Sequence, residues 1–395
     1  MSKRYPSGFI SAFYDPLKNP DAPTIGAATG GDASASVAFT APSSPYGAIT
    51  GYGVQSTPDG IQASGSSSPI SVTGLTNGTP YTFAVWALNS YGPSAFSASS
   101  DSVTPAAQIG LFAGGFAGSR VNTIQYISIS STGNSIDFGD LTRGVTSCAS
   151  CASSTRGVWG GGTPDGSTTV NIIDYVTFNT LGNAIDFGDL TVVREDFSAL
   201  SSSTRGVFGG GNDGGTRKST IDYITIATTG NATTFGTLVS GATRGTAACA
   251  SPTRGVFAQG NLSGGFINVI QYITIDTTGN TTDFGDLTIT VASGAGLSNS
   301  TRGVFGGGEA PSGTNVINYI TIASTGNATD FGDLSVARLG LAACSNSTRG
   351  VFAGGGSSNV IEYITIASPG NTTDFGDLLA EVSSISGCSN AHGGL

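Results

Sequence analysis

Charge is the first thing this chain is short of. Only 10% of its 395 residues are Asp, Glu, Lys or Arg, and together they leave a net charge of −10. A sparse, acidic surface of this kind excludes a nucleic-acid partner and attraction to an anionic membrane. Histidine is almost missing, with His392 the single copy. One terminal imidazole denies the chain a Ser–His–Asp triad and makes a zinc site built on histidines untenable. No apolar run is long enough to cross a membrane, so membrane insertion is not expected. The opening MSKRYPSGFISAFYDPLKNP carries Lys3 and Arg4 without the apolar core of a signal peptide. The expectation is synthesis in a cytoplasm. The 61 glycines follow no three-residue period, which excludes a collagen. Regularly spaced Val, Ile, Phe and Tyr exclude disorder along most of the length.

What the chain does have is a repeat. The stretch YITIASTGNATDFGDL, residues 319–334, has five close copies. Each places a Tyr twelve residues before a Phe-Gly pair. The tyrosines are Tyr126, Tyr175, Tyr223, Tyr272, Tyr319 and Tyr363. The phenylalanines are Phe138, Phe187, Phe235, Phe284, Phe331 and Phe375. An average module from the second half contains four strand-like pieces, LAACSNS, TRGVFGGG, VIEYITIA and ATDFGDL, with the third in period-two alternation. The TGN between the last two supplies the positive-φ residues of a tight hairpin. Four antiparallel strands per repeat, six times over, predict an all-β fold with a six-bladed β-propeller, because one blade cannot bury both its faces alone.

The repeats resemble kelch repeats over roughly residues 107–395. A double Gly closes the second strand, as in Gly210-Gly211 and Gly355-Gly356, and a Tyr follows on the third. The Trp usual on the kelch fourth strand is Phe in every copy. An Arg after the fourth strand appears as Arg143, Arg194, Arg244 and Arg338. The repeat region begins with IGLFAGG, a second strand, and finishes with SGCSNAHGGL, a first strand. Pairing these N- and C-terminal pieces would complete one blade and close the propeller.

Residues 21–105 differ, with short alternating strands at sandwich spacing. VAFTAP at 37–42, GLTNGTPYTFAVWALNSYG at 74–92 and SVTP at the exit resemble a fibronectin type III domain. Leu75 and Tyr81 match its GL-x-x-G-x-x-Y pattern, and Phe39 stands where that family has Trp. The expected organisation is an arm at 1–20, this sandwich at 21–105 as a spacer or adhesion module, and the propeller at 106–395.

In an antiparallel blade the second-to-third and fourth-to-first loops share one face, and here these loops vary while the opposite turns are uniform. Varied loops on a rigid scaffold are where recognition sits. The candidate contacts are Asp165, Arg194, Asp196, Phe197, Asp213, Arg217, Lys218, Phe266 and Glu309, weighed against the plainer reading that they are solvated loop residues. The arm offers Arg4, Tyr5, Phe9, Phe13 and Tyr14 as a docking peptide, since large rings bury much area per residue.

Other chemistry reads as structural. The Asp pairs of DFGDL, such as Asp186/Asp189 and Asp330/Asp333, can bind calcium in principle. The third copy has Thr234 and Thr237 instead, so the preferred reading is bonds to turn amides or to Arg205 and Arg302. Cys148 and Cys151 form a Cys-x-x-Cys, but Cys151, Cys249, Cys344 and Cys388 align with Leu200 and Leu297, which marks packing sites. Asn231, Asn280, Asn327 and Asn371 head Asn-x-Thr/Ser triplets, and turn geometry accounts for them. No catalytic, metal or cofactor residue is assigned.

The arm, the sandwich and the Gly/Ser/Thr/Asn-rich repeats resemble structural proteins of tailed phages, including those of cyanobacteria. The resemblance implies a non-enzymatic virion protein of a tail, fibre or neck, present in several copies or as a homo-oligomer. Its partners would be other virion proteins and a host-surface glycan or protein. The alternatives are a bacterial surface adhesin or scaffold binding glycans and, more weakly, a carbohydrate-active enzyme.

Overall fold

The computed structural model describes residues 18–395, which divide into two compact units, one ending at Ala107 and the other running from Gln108 to Leu395. The arm residues Arg4, Tyr5, Phe9, Phe13 and Tyr14 lie outside the described residues. Every regular element among the described residues is a strand.

The N-terminal unit is a two-sheet sandwich. Thr24–Gly31, Ser34–Thr40 and Ile70–Thr73 form one sheet. Gln62–Gly65, Ile49–Thr57, Thr82–Asn89 and Gly92–Pro93 form the other. Alternation places Val37, Phe39, Val54, Val72, Phe83 and Val85 in a shared core. Phe39 fills its place against Tyr52, ring centroids 4.7 Å apart. Tyr81 is fully buried, and its hydroxyl accepts from Thr76 N–H at 3.1 Å and donates to Asp59 at 2.7 Å. That satisfies the one polar atom its burial would otherwise strand. Beyond Pro93 the chain leaves the strand geometry, yet the edge of Thr82–Asn89 stays paired. The Ser94, Ser97 and Ser100 hydroxyls accept from Ala87, Val85 and Phe83 N–H at 2.9–3.0 Å, where a strand would offer carbonyls.

The second unit holds six four-stranded antiparallel sheets. Five run consecutively, as in Ala149–Ala152, Arg156–Gly160, Ile172–Thr177 and Ile185–Asp189. The sixth is spliced. Ser386–Ser389 pairs with Ile109–Ala113, which pairs in turn with Thr123–Ser128 and Ile136–Asp140. The register sets Cys388 opposite Leu111, so the expected pairing of early and late segments is present.

First strands lie side by side. Ala149–Ala152 packs against Ser198–Ser201, then in turn come Ala247–Ala250, Ala295–Ser298 and Ala342–Ser345; Ser386–Ser389 touches both the last of these and Ala149–Ala152. Four repeated devices join each sheet to the next. The first is the Cys/Leu position. Cys151 faces Gly206 so closely that a Cβ there would lie 2.6 Å from Sγ, and Leu200 meets Gly255, Cys249 Gly303, Leu297 Gly350 and Cys344 Gly110 in the same way, with Cys388 looser at 3.3 Å from the corresponding point on Gly157. These are the packing sites the alignment predicted, and all five cysteines are free and buried.

The second device is the residue before each repeat Tyr, a buried polar side chain in all six sheets. Each reaches the segment leaving the previous sheet. Asp222 accepts from Thr191 Oγ1 at 2.6 Å, Asn318 from Thr288 Oγ1 at 2.6 Å and Gln125 from Leu379 N–H at 2.9 Å. The third is the turn asparagine. Asn183, Asn231, Asn280, Asn327, Asn371 and Asn134 accept from the N–H of Asp140, Asp189, Thr237, Asp286, Asp333 and Asp377 at 3.0–3.1 Å. Turn geometry alone therefore does not account for these residues, because their side chains join neighbouring sheets.

The fourth device corrects the pairing expected for Arg205 and Arg302. Neither meets an Asp. Arg205 lies 4.4 Å over the Tyr223 ring and donates to Ile275 O at 2.8 Å; Arg302 does the same with Tyr319 and Ile366 O. Each Tyr also meets its own Phe edge-to-face at 5.7–6.1 Å. In five sheets the recurring Tyr and Phe are thus the base of an Arg–Tyr–Phe stack; the spliced sheet has Ile109 in the Arg position, and Tyr126 meets Phe138 alone. The first Asp of each DFGD is exposed and enters no ion pair among the described residues.

Candidate functional site

Where the loops enter the first strands, the backbone takes a left-handed turn at Ser147, Asp196, Gly245, Ser293, Gly340 and Ser384, with φ between 52° and 66°. Each of the middle four donates its N–H to the carbonyl of the one before, at 2.6–3.1 Å, and Ser147 donates to Ser384. Left-handed geometry is costly for residues with a Cβ, and the shared bonds hold it in place. These residues surround a cavity of about 410 Å³ that runs between the first strands. Small side chains leave the space, among them Ala149, Ser150, Ala199, Ala248 and Gly296. Two hydroxyl pairs span neighbouring sheets in its wall, Ser386 with Ser150 at 2.7 Å and Ser198 with Thr246 at 2.9 Å.

The charged groups of the cavity are Asp196, Arg244 and Glu309. Arg244 Nη1 lies 3.6 Å from Asp196 Oδ2, both partly exposed. Burial pushes the Asp196 carboxyl above its ordinary range, against a Ser147 hydrogen bond that lowers it.

A second, smaller cavity of about 60 Å³ shares Ser150 and Ala199 with the wall of the first and is lined by His392. His392 Nε2 lies 2.9 Å from Ala152 O and 3.2 Å from Ser201 Oγ, and Gly394 N–H donates to Nδ1 at 3.1 Å. Gly393 N–H reaches Ser298 O at 3.0 Å. The segment after Ser389 therefore crosses this smaller cavity. His392 is not at a frayed end, as its position in the sequence implied; burial holds its pKa below the ordinary value.

The loop candidates separate into three groups. Arg194 and Phe197 are interior. The Arg194 side chain is 0% exposed and donates to Asp222 at 2.7 Å and to the carbonyls of Gly210 and Thr220. Phe197 is buried, with Arg194 4.8 Å over its ring. Arg194 is committed to the Asp222 ion pair, and the reason is the second device above, since the polar residue on the third strand of this sheet is an Asp that needs a counter-ion. Arg338 plays the same part for Glu362. At Asp174, burial raises the carboxyl pKa more than Arg143 and Thr142 lower it.

Asp165, Asp213, Arg217, Lys218 and Phe266 stay in the loops. Asp165 accepts from Ser167 and Thr168 N–H at 2.9 and 2.7 Å, which keeps its carboxyl well below the usual range. Asp213 accepts from Thr169 Oγ1 at 2.8 Å and pairs with Lys218 at 3.5 Å. Arg217 Nε donates to Asn261 O in the next hairpin at 2.8 Å. Phe266 is half-buried opposite Asn261. Asp196 and Glu309 reach the cavity with their charges, and the buried Phe197 also lines it. Arg244 joins them and was read from the sequence as a repeat arginine; it lies one residue before the left-handed turn, whereas Arg194 and Arg338 lie two before, and that single-residue offset was the available signal.

Residues 21–103 match the family model of the fibronectin type III domain, and the sandwich is one such domain. No curated protein matches the chain.

Proposed function

We propose that the second unit is a six-bladed, kelch-like β-propeller closed by the Ser386–Ser389 strand, and that it is the recognition head of a non-enzymatic virion protein of a tailed phage. In this reading the fibronectin type III domain spaces the head from the particle, and the arm anchors it among other virion proteins. The observation that carries the reading is the contrast between the two ends of the second unit. One end presents loops of differing length and sequence around an open cavity. The other is made of near-identical turns and is crossed by the segment holding His392. A scaffold with one elaborated face suits binding, and many copies on a particle would convert weak contacts with a host glycan or protein into firm attachment. The unbroken order of the turn-asparagine bonds, including Asp377 to Asn134, supports the closed arrangement.

The test is mass spectrometry and immunogold labelling of purified tailed particles. The chain is expected at the tail, fibre or neck. Its absence from particles, together with recovery from a bacterial envelope, would replace this reading with the adhesin.

A further inference from the structure

The cavity wall repeats six times, but its charges do not. Asp196, Arg244 and Glu309 come from three consecutive sheets, whose first strands are Ser198–Ser201, Ala247–Ala250 and Ala295–Ser298. The next two sheets around contribute Leu339, Leu341 and Ile385 instead, and Leu339 is 39% exposed. One side of the mouth therefore carries all the charges, with the buried Phe197 ring also in its wall, and the other is aliphatic. A second irregularity lies on the ionic side. Five sheets have a glycine in left-handed geometry where the second strand ends, at Gly114, Gly161, Gly210, Gly307 and Gly354. In the sixth the strand runs on to Leu262, and the same place, a register shift within it, holds Gln259 at φ 57°, buried, with no hydrogen-bond partner for Nε2 among the described residues. It lies directly behind the lining residue Gly294, where a Cβ would be 2.8 Å from that nitrogen. A left-handed non-glycine carrying an unmatched donor is a cost concentrated beside the cavity.

From this asymmetry we infer that the cavity binds one uncharged pyranose ring, the terminal residue of a glycan. The inference rests on the recognition reading above and names its ligand class. A pyranose has the matching character, with C–H groups on one face and hydroxyls around its edge. The C–H face packs on Leu339. The hydroxyls donate to Asp196 and Glu309 and accept from Arg244, and the serines of the left-handed turns add weaker bonds. The volume of about 410 Å³ falls within the range of small-molecule sites. An anionic ligand fits less well, because two carboxylates face one guanidinium. A metal ion is not favoured, since no cluster of metal-ligating side chains occurs among the described residues.

The experiment is saturation-transfer NMR on the full chain, titrated with methyl α-D-mannopyranoside, methyl β-D-galactopyranoside, methyl N-acetyl-β-D-glucosaminide and, for contrast, methyl β-D-glucuronide. Saturable binding of at least one uncharged glycoside is expected. It should weaken about tenfold or more in the Asp196→Asn, Glu309→Gln double variant, as loss of charge-assisted bonds implies. It should disappear in Leu339→Trp and persist in Phe266→Ala, a loop residue outside the cavity. Two independent blocking variants guard against one that misfolds. No saturation by any uncharged probe, preference for the glucuronide, or binding indifferent to both blocking variants would overturn the inference. If the chain is found on particles but binds no glycoside, this inference alone falls. If it binds as described but is absent from particles, the virion reading alone falls.

Discussion

Asn134 Oδ1 accepts a hydrogen bond from Asp377 N–H at 3.0 Å across 243 positions of sequence. The other five turn asparagines make the same bond to their neighbours, so the contact between the last sheet and the spliced one is chemically equivalent to the rest. Replacing Asn134 with Ala should cost about 0.5–1.5 kcal/mol, the net contribution of one hydrogen bond, since the exposed amide left behind can turn to water. Asn231→Ala and Asn327→Ala should cost the same. Urea unfolding of the three variants measures this. A neutral Asn134→Ala beside two costly partners would show that the first and last sheets are not joined as the others are.

Gly188 sits at φ 145°, and a Cβ there would lie 2.5 Å from the Gly230 carbonyl oxygen. Gly182 has nearly the same φ, 149°, in open space. Gly182→Ala should therefore show backbone strain alone, about 1–3 kcal/mol, and Gly188→Ala should lose clearly more because two sheets must separate. Comparing the two melting temperatures isolates the close approach from the strain. Equal losses would mean the neighbouring turn yields freely.

Removing residues 383–395 strips the first strand from the spliced sheet and uncovers Leu111 and Phe112, both 0% exposed. The second unit should then lose its cooperative thermal transition and bind a hydrophobic dye. A truncated chain that melts unchanged would dispose of the strand as a closing element.

His392 sets an acid limit. Burial depresses its folded-state pKa below the ordinary value, so the unfolded chain binds the proton more readily. Stability is complete above about pH 6.5 and declines as pH falls from there toward the folded pKa, by at most about 1.4 kcal/mol per pH unit for one proton. The structural reason is that Nε2 serves Ala152 O while Nδ1 accepts from Gly394 N–H, and a proton on Nδ1 removes that acceptor. Denaturant midpoints between pH 7 and pH 5 should fall in the native chain and flatten in His392→Gln. Identical pH profiles would show that another group governs acid stability.

The cysteines should be silent. Burial pushes the Cys148 thiol up to about 12 and raises the pKa of the other four as well, so none should react with a thiol reagent in the native state. Cys151→Leu should change stability by less than about 1.5 kcal/mol, since Leu200 and Leu297 already occupy the equivalent place. Rapid labelling of a folded chain, or collapse of that variant, would contradict the packing role.

Much of this was readable from the repeat. Alignment placed the strands, assigned Cys151 and its equivalents to packing, and paired the strand around Cys388 with the one around Leu111. What escaped were relations between repeats. Asn183 and Arg205 bond to the adjacent sheet, and a single module carries no sign of that. Arg194 and Phe197 sit in a variable segment, which made them look external, until Asp222 in the following strands is seen to need a cation. The cavity was hidden for a related reason. It is made of what Ala, Ser and Gly leave unfilled, and absent volume has no residue type of its own.

The spliced sheet also fixes an order of events. Ile109–Ala113 leaves the ribosome early, and its partner Ser386–Ser389 emerges only after five whole sheets have been translated. Through most of synthesis the nascent chain therefore carries an unpaired apolar edge. Until the last strand arrives, that edge is open to pairing with other chains.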